Sequence, residues 1–273
     1  MRAMGGSNAR GRNNVVLMGR AGRPAVMLAN GFGCDQNMWR LVAPGLARDF
    51  RVVLFDHVGS GRSELSAWRP EQYATLDGYA DDVLRICREL QLRQVIFVGH
   101  SVSAMMGVLA AAREPEQFGK LILLCPSPRY VDDTGYRGGF SRPDIDELLE
   151  SLDSNYLGWS AAMAPVIMGN PGRPELAEEL ANSFCRTDPQ IARAFARTTF
   201  LSDNRADLAR VTVPTLVLQC SRDVIAPPEV GAFVHAQIPG SSLVILPATG
   251  HCPQLSAPEA TLGAIAAFAA GPP

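Results

Sequence analysis

The fold is decided by the stretch Val95-Ile96-Phe97-Val98-Gly99-His100-Ser101-Val102-Ser103-Ala104-Met105-Met106-Gly107-Val108-Leu109. Its first four residues are apolar and mostly β-branched, which predicts a buried strand, and the run from Val102 onward predicts a buried helix. A chain that passes from strand to helix within so few residues needs a sharp, strained turn, with Ser101 at its apex. We interpret this turn as a nucleophile elbow that holds the Ser101 hydroxyl over the first amides of the helix.

The elbow departs from the usual Gly-x-Ser-x-Gly pattern, because Ser103 stands where the second glycine is expected. Serine is still small enough for the helix to pack closely on the strand. The motif by itself also allows a second interpretation, since a serine between a strand and a helix is often only the N-cap of that helix. The choice between nucleophile and cap therefore depends on the rest of the chain.

Size and composition favour one α/β domain with an insertion, since the chain has 273 residues, of which 47% are hydrophobic. The net charge of −2 comes from interspersed signs. This pattern excludes the basic stripe that binding of nucleic acid or an anionic membrane surface would need. Six cysteines are scattered singly, without the spacing of a zinc site, so we expect reduced thiols, no metal and no cofactor.

The order of elements predicts a mostly parallel central sheet flanked by helices, because strand and helix patterns alternate up to residue 125. Residues 15–18 and 24–29 are expected to form a hairpin. Residues 126–204 have the pattern of four helices without strands, which predicts a lid over the carboxyl edge of the sheet. We divide the chain into a flexible N-terminal tail (1–13), a core in two parts (14–125 and 205–273) and the lid (126–204).

The N-terminal residues carry arginines but no apolar core of signal-peptide length, and no run of the chain reaches membrane-spanning length. We therefore expect a cytoplasmic protein that does not associate with membranes. A monomer is the expected oligomeric state.

A serine hydroxyl is a poor nucleophile until a base takes its proton, and the base needs an acid to orient it. We predict that His251, in the loop after the final strand, is the base for Ser101, although a lone histidine can also be structural. Asp223 follows the strand that ends at Cys220 and is the predicted acid. The rival acids Asp203 and Asp207 precede that strand, so we expect them on the other side of the sheet.

The strand over residues 24–29 ends at Asn30-Gly31-Phe32-Gly33, where two glycines allow an abrupt turn that points amides into a cavity. In an α/β-hydrolase such a loop supplies one amide of the oxyanion hole, and the residue after the nucleophile supplies the other. We assign these roles to Phe32 and Val102. The alternative is an ordinary turn at the end of a strand.

Four segments together resemble one branch of the α/β-hydrolases, namely the bacterial stress-response regulator RsbQ and the plant strigolactone and karrikin receptors. The likeness runs from about Asn14 to Phe268, and in this branch a serine occurs at the position of Ser103. A departure is Asn30, where many hydrolases carry a histidine. The segments are Gly31-Phe32-Gly33-Cys34-Asp35-Gln36, Gly99-His100-Ser101-Val102-Ser103-Ala104-Met105, Ser127-Pro128-Arg129-Tyr130 with Gly138-Gly139-Phe140, and Gly250-His251-Cys252-Pro253-Gln254.

The resemblance implies a hydrolase core and a V-shaped lid of four helices over a deep apolar pocket. It implies that aromatic and apolar side chains line the pocket, although some of them can serve only to pack the lid on the core. These side chains are Phe32, Val102, Phe140, Trp159, Phe195 and Phe200.

Two functions of different classes follow. The first is a serine hydrolase that acts on a small hydrophobic ester or a butenolide-like lactone. The second, implied by the resemblance, is a signalling protein that binds or slowly hydrolyses a small ligand and engages a protein partner through its lid. Ser101 argues against dehalogenases and epoxide hydrolases, whose nucleophile is aspartate. A cofactor-free peroxidase-type enzyme or a carbon–carbon bond hydrolase would keep the same triad and stays open.

Overall fold

The computed structural model of the chain describes residues 8–271, and within this range seven strands form one sheet. The strands are β1 (Val16–Met18), β2 (Ala25–Ala29), β3 (Arg51–Leu54), β4 (Val95–His100), β5 (Phe118–Leu124), β6 (Thr215–Arg222) and β7 (Ser242–Thr249). Their spatial order is β1-β3-β2-β4-β5-β6-β7, and only the pairing of β1 with β3 is antiparallel. The predicted mostly parallel sheet is therefore confirmed.

Helices cover both faces of the sheet. They are α1 (Ala9–Arg12), α2 (Ala43–Leu46), α3 (Leu76–Glu89), α4 (Val102–Arg113), α5 (Arg142–Ser154), α6 (Tyr156–Met168), α7 (Pro174–Cys185), α8 (Pro189–Phe200), α9 (Pro228–Gln237), α10 (Pro253–Ser256) and α11 (Pro258–Ala270). Alternate residues of β2 point to opposite faces, so that Met27 packs with α3 and α4 on one side, while Val26 and Leu28 pack with α2 and α11 on the other. No described helix is both long enough and apolar enough to cross a membrane.

The predicted hairpin of residues 15–29 is wrong, because β3 lies between β1 and β2. Val16 of β1 pairs with Leu54 of β3 in antiparallel register, whereas β2 pairs with the other edge of β3 in parallel. Gly19 directs the chain past the start of β3 with a φ of +80°, and a β-carbon there would lie 2.2 Å from the carbonyl oxygen of Phe50. Parallel pairing on both sides of β2 buries this strand completely.

The predicted N-terminal tail is only partly described, since residues 1–7 lie outside the described range. From Ala9 onward the chain forms α1, and Arg12 donates to the hydroxyl of Tyr73 over 2.7 Å and pairs with the buried Asp82 at 3.4 Å. Asn13 is fully buried and donates to the backbone of Asp56. Arg12 and Asn13 are therefore held against the core by ion pairing and burial, and these two residues of the predicted tail are not free.

The insertion between β5 and β6 contains α5, α6, α7 and α8, which we call the inserted helices. Their apolar faces form one cluster with side chains from loops at the carboxyl ends of the strands, among them Cys34, Ile225 and Cys252. The inserted helices therefore lie over the carboxyl edge of the sheet. The division of the chain into a core and a lid of residues 126–204 stays a prediction.

Candidate active site

Ser101 lies in a strained turn between β4 and α4. Its φ of 58° and ψ of −126° are rare for a residue with a side chain, and its N–H donates to the carbonyl of Leu124 over 2.8 Å. Two residues earlier, a β-carbon on Gly99 would lie 2.5 Å from the carbonyl oxygen of Ser103. The close packing of strand and helix thus needs glycine at 99, and the turn has the geometry expected of a nucleophile elbow.

His251 faces Ser101 from the loop after β7. Its Nε2 lies 2.7 Å from the Ser101 hydroxyl oxygen, and its Nδ1 lies 2.7 Å from Oδ2 of Asp223. Since a carboxylate only accepts, Nδ1 carries the proton, and Nε2 is free to accept the proton of the serine hydroxyl. The structure therefore brings together the three residues that the sequence predicted as nucleophile, acid and base.

Asp223 is buried in the loop that follows β6. Its second carboxylate oxygen accepts the backbone N–H groups of Ile225 and Ala226 at 2.9 and 3.1 Å. Burial raises the pKa of Asp223, but His251 and the two amide hydrogen bonds outweigh burial, so that the pKa lies below its ordinary value. The carboxylate is therefore ionised and can stabilise a positive charge on His251.

The two rival acids lie elsewhere. Asp203 forms ion pairs with Arg129 and Arg205, and Asp207 pairs with Arg210. These contacts are on the surface, where arginines satisfy both carboxylates, so neither rival orients His251.

His100 supports the histidine loop, a role that sequence reasoning missed. Its Nε2 donates to the backbone carbonyl of His251 over 2.7 Å, and the side-chain amide of Gln254 donates to its Nδ1 over 3.2 Å. Burial, together with the nearby His251, lowers the pKa of His100 to about 3. His100 is therefore a neutral hydrogen-bonding residue.

The two predicted oxyanion donors belong to segments that come close to Ser101. Val102 is the first residue of α4, so its N–H has no acceptor within the helix, and the positive end of the helix dipole favours an anion there. The Phe32 loop comes close as well, because a β-carbon on Gly31 would lie 3.1 Å from Cβ of Ser101. The assignment of both amides to an oxyanion hole stays a prediction.

A small cavity of about 40 Å³ lies over Ser101. Trp159 and Phe200 reach it as predicted from the resemblance, whereas Phe140 and Phe195 are not among its lining residues. Phe195 instead stacks on Tyr79 at a centroid distance of 4.6 Å and packs in the core. The lining residues are Phe32, Cys34, His100, Ser101, Tyr130, Leu148, Trp159, Met163, Ile167, Leu180, Phe184, Thr199, Phe200, Ile225, His251 and Cys252.

Val102 contributes no lining side chain to this cavity, because it points from the first turn of α4 into the core beside the sheet. Larger open grooves occur on the surface of the described chain, and one of about 860 Å³ lies between α3 and α8. None of Ser101, Asp223 and His251 lines that groove. Ser101 and His251 both line the small cavity, which is therefore the space in which they can meet a substrate, while Asp223 contacts His251 from outside that lining.

Tyr130 is a second residue that sequence reasoning did not assign. Its hydroxyl lies 3.4 Å from the Ser101 oxygen, and burial raises its pKa, so that the hydroxyl keeps its proton. The sequence could have indicated this position, because Tyr130 follows the strand β5 and so lies at the carboxyl edge of the sheet, as Asp223 and His251 do. Tyr130 is thus a neutral hydrogen-bond donor beside the nucleophile.

One group of possible metal ligands occurs among the described residues. The Sγ of Cys125 lies within 4.8 Å of ligand atoms of Asp223 and His251, and it also contacts the Sγ of Cys220 at 3.5 Å. Asp223 and His251 are already hydrogen-bonded to each other and to their neighbours. Within this group, Asp223 therefore orients His251, while Cys125 contacts Cys220.

A family model described as "Alpha/beta hydrolase family" matches residues 26–264. The chain belongs to this family. The solved structure of olei00960, a hydrolase from Oleispira antarctica, superposes with a TM-score of 0.92 at 40% identity and covers 95% of each chain. The likeness to the α/β-hydrolases that was seen in four short segments is confirmed over most of the chain.

Curated relatives of this hydrolase include proteins named as esterases and as receptors. A relative from Oryza sativa subsp. japonica, named as a probable esterase, is 41% identical over 248 residues, which cover 90% of this chain and 92% of the relative. "Karrikin insensitive 2 receptor IA" from Petunia hybrida is 41% identical and covers 89% of both chains. The predicted likeness to strigolactone and karrikin receptors is therefore confirmed.

Proposed function

We propose that this member of the α/β-hydrolase family is a serine hydrolase of small hydrophobic carboxylic esters or lactones. The observation that carries the proposal is the chain of contacts from Ser101 through His251 to Asp223, with two distances of 2.7 Å. Relatives named as esterases support the same activity. The apolar wall of the cavity supports a hydrophobic substrate.

The reaction begins when Nε2 of His251 takes the hydroxyl proton of Ser101 as its oxygen attacks the carbonyl carbon. The Asp223 carboxylate stabilises the imidazolium that forms. The N–H groups of Phe32 and Val102 donate to the oxyanion of the tetrahedral intermediate. When the intermediate collapses, His251 gives the proton to the leaving alcohol, and Ser101 stays acylated.

Water completes the cycle. His251 takes a proton from the water as the water attacks the acyl carbon, and a second tetrahedral intermediate forms on the same amides. Its collapse releases the carboxylic acid and returns the proton to Ser101. No cofactor is needed for either half-reaction, and the atoms balance as ester plus water to acid plus alcohol.

The test is hydrolysis of p-nitrophenyl acetate by Ser101→Ala, with Ser241→Ala as the matched control. Ser241 lies between α9 and β7, where its hydroxyl bonds to the backbone of His235. We expect kcat to fall about 10⁶-fold in Ser101→Ala and to stay unchanged in the control. Equal activity in both variants would reject the assignment of the nucleophile.

A second function, a receptor that binds or slowly hydrolyses a small lactone and engages a protein partner, is favoured by one observation. The cavity of about 40 Å³ is smaller than ligand pockets usually are, so that a bound lactone would displace the inserted helices. The relative named as a karrikin receptor supports this role. A butenolide that raises the melting temperature of Ser101→Ala while the wild type hydrolyses esters very slowly would favour the receptor.

We also propose a monomer that acts in the cytoplasm. All six cysteines are free thiols, of which five are buried, and this supports a reducing compartment. Sedimentation of the purified protein measures its oligomeric state. Fractionation of the cells that express it measures its location.

A further inference from the structure

The carbonyl oxygen of Asn30 accepts two hydrogen bonds at the start of the loop that carries Phe32. The hydroxyl of Ser103 donates to it over 2.5 Å, and Nε2 of His57 donates to it over 2.8 Å. The same nitrogen lies 2.9 Å from the Ser103 oxygen. Because a carbonyl cannot donate, Nε2 of His57 carries the proton. Asn30, His57 and Ser103 are all buried, with exposures of 0%, 2% and 0%.

The same loop is tied at its other end by the side chain of Asn30. The amide Nδ2 of Asn30 donates to the carbonyl of Cys34 over 2.5 Å, and the N–H of Cys34 donates to the carbonyl of Gly31 over 3.2 Å. Residues 30–34, which we call the oxyanion loop, are therefore closed on themselves. The Phe32 amide lies inside this closed loop, so its position depends on how the loop is held.

Asn30 and Ser103 are the two positions at which the sequence departs from the common hydrolase pattern, and the structure shows that they are in contact. A buried serine hydroxyl needs a partner, because a buried hydroxyl without a hydrogen bond destabilises the folded state. The carbonyl of Asn30 is that partner. The serine that replaces glycine in the elbow is thus accommodated by the start of the oxyanion loop.

Neither His57 nor Ser103 lines the cavity over Ser101. Burial lowers the pKa of His57 and outweighs the opposite effects of its bond to Asn30 and of the Asp82 and Asp56 carboxylates. His57 is therefore neutral and away from the substrate. The pair resembles part of a triad in composition but has no space in which to act on a substrate.

We propose that Ser103 and His57 are positioning residues that set the separation of the two oxyanion donors. Ser103 directly follows Val102, and Asn30 precedes Phe32 by two residues, so the Ser103–Asn30 hydrogen bond links the two donors through short, planar segments of backbone. Fixed donors stabilise the oxyanion without reorganisation during the reaction. The expected effect of Ser103 and His57 on the rate of hydrolysis rests on the proposed function, whereas their expected effect on the rigidity of the oxyanion loop does not.

The kinetic test compares Ser103→Ala with Thr261→Val. Thr261, in α11, is a matched control, because its buried hydroxyl donates to the carbonyl of Ala257 and it does not line the cavity over Ser101. In Ser103→Ala we expect kcat for p-nitrophenyl acetate to fall about 10- to 100-fold and KM to stay within about twofold. The affinity for phenylboronic acid, which forms a tetrahedral adduct with a catalytic serine, should fall by the same factor as kcat.

Loss of stability alone would change both variants alike, so an equal change of kcat in Thr261→Val would overturn the proposal. An unchanged kcat and an unchanged boronate affinity in Ser103→Ala would also overturn it. The role of His57 is tested by comparing two variants. In His57→Gln the side-chain Nε2 can still donate to the carbonyl of Asn30, whereas the leucine of His57→Leu cannot donate. Higher kcat in His57→Gln than in His57→Leu supports the positioning role, and equal kcat contradicts it.

Hydrogen exchange separates this proposal from the proposed function, because it needs no turnover. In Ser103→Ala, amides of residues 30–34 should exchange faster than in the wild type and in Thr261→Val. Unchanged exchange would overturn the positioning role even in an active esterase. If the wild type hydrolyses no ester but exchange still rises, the proposed function fails while the role of Ser103 in holding the loop stands.

Discussion

The backbone N–H of His251 donates to the carbonyl oxygen of Ile167 over 2.9 Å. Ile167 lies in the last turn of α6, so an inserted helix holds the loop that carries the base. Asn170, just beyond α6, donates to the carbonyl of Thr249 over 2.8 Å and strengthens the same connection. The position of His251, the proposed base, therefore depends on the position of the inserted helices.

Replacement of Gly250 tests this connection. Gly250 has a φ of +89°, and a β-carbon there would lie 1.9 Å from the carbonyl oxygen of Met168. We expect Gly250→Ala to push His251 away from α6 and to lower kcat at least tenfold. Gly240→Ala is the control, because Gly240 also has a positive φ of +69° but no atom within 4 Å of the added carbon. Steady-state kinetics with p-nitrophenyl acetate contradict the prediction if both variants keep wild-type kcat.

Replacement of Asp223 tests the acid. Asp223→Asn keeps the size of the side chain but removes the charge that stabilises protonated His251, so we expect kcat to fall about 10⁴-fold. Asp203→Asn is the control, because Asp203 was one of the rival acids and pairs with Arg129 and Arg205. Loss of activity in Asp203→Asn with full activity in Asp223→Asn would reverse the assignment.

The pH dependence of stability reports on His100. The pKa of His100 is about 3 in the folded protein, against an ordinary value of 6.5. Between pH 3 and pH 6.5, therefore, His100 is protonated in the unfolded chain but not in the folded protein. The stability contribution is complete above about pH 6.5 and is lost as the pH falls toward 3, with a slope of up to about 1.4 kcal/mol per pH unit. Urea unfolding at pH 7, 6 and 5 measures this slope.

The variant His100→Gln should flatten that slope, because glutamine can donate to the carbonyl of His251 but does not titrate. His235→Gln on α9 is the matched substitution, and the slope of His100→Gln should be smaller than that of His235→Gln. An equal slope in the wild type and His100→Gln would mean that His100 does not contribute to acid sensitivity.

The size of the cavity predicts selectivity for short acyl groups. About 40 Å³ corresponds to a few water-sized spheres, so kcat/KM should fall from acetate to butyrate to hexanoate esters of p-nitrophenol. Leu180→Ala removes a lining side chain and should raise the butyrate-to-acetate ratio several-fold. Its control is Leu176→Ala, one turn earlier on α7, because Leu176 is buried but outside the lining. The idea fails if both variants change the ratio equally, because general loosening of α7 would then be the cause.

Much of the site could be predicted from the chain alone, because its parts are local. The elbow around Ser101 is a change from strand to helix within a few residues, and Asp223 and His251 each follow a recognisable buried strand. In a parallel sheet the carboxyl ends of strands share one edge, so the order of these residues along the chain predicted their meeting. No long-range contact had to be known for this step.

Other features depended on which strands are neighbours, and the sequence does not contain that information locally. β1 pairs with β3 although β2 is nearer along the chain. Phe195 was expected in the pocket but packs on Tyr79 in the core. Apolar residues recur every three or four positions on a helix whether they line a pocket or pack in the core, so hydrophobic periodicity does not distinguish a lining residue from a core residue.

The sequence by itself predicted the parallel sheet, the sharp turn at Ser101 and the three residues that the structure brings into contact, because each follows from residue type and position within one element. Only the tertiary structure decided how these parts are held. In the folded chain, Ser103 and His57 donate hydrogen bonds to the carbonyl of Asn30. His100 donates to the backbone carbonyl of His251, and the carbonyl of Ile167 accepts the backbone N–H of His251. These contacts join residues from distant parts of the chain, and their geometry depends on the packing of whole elements.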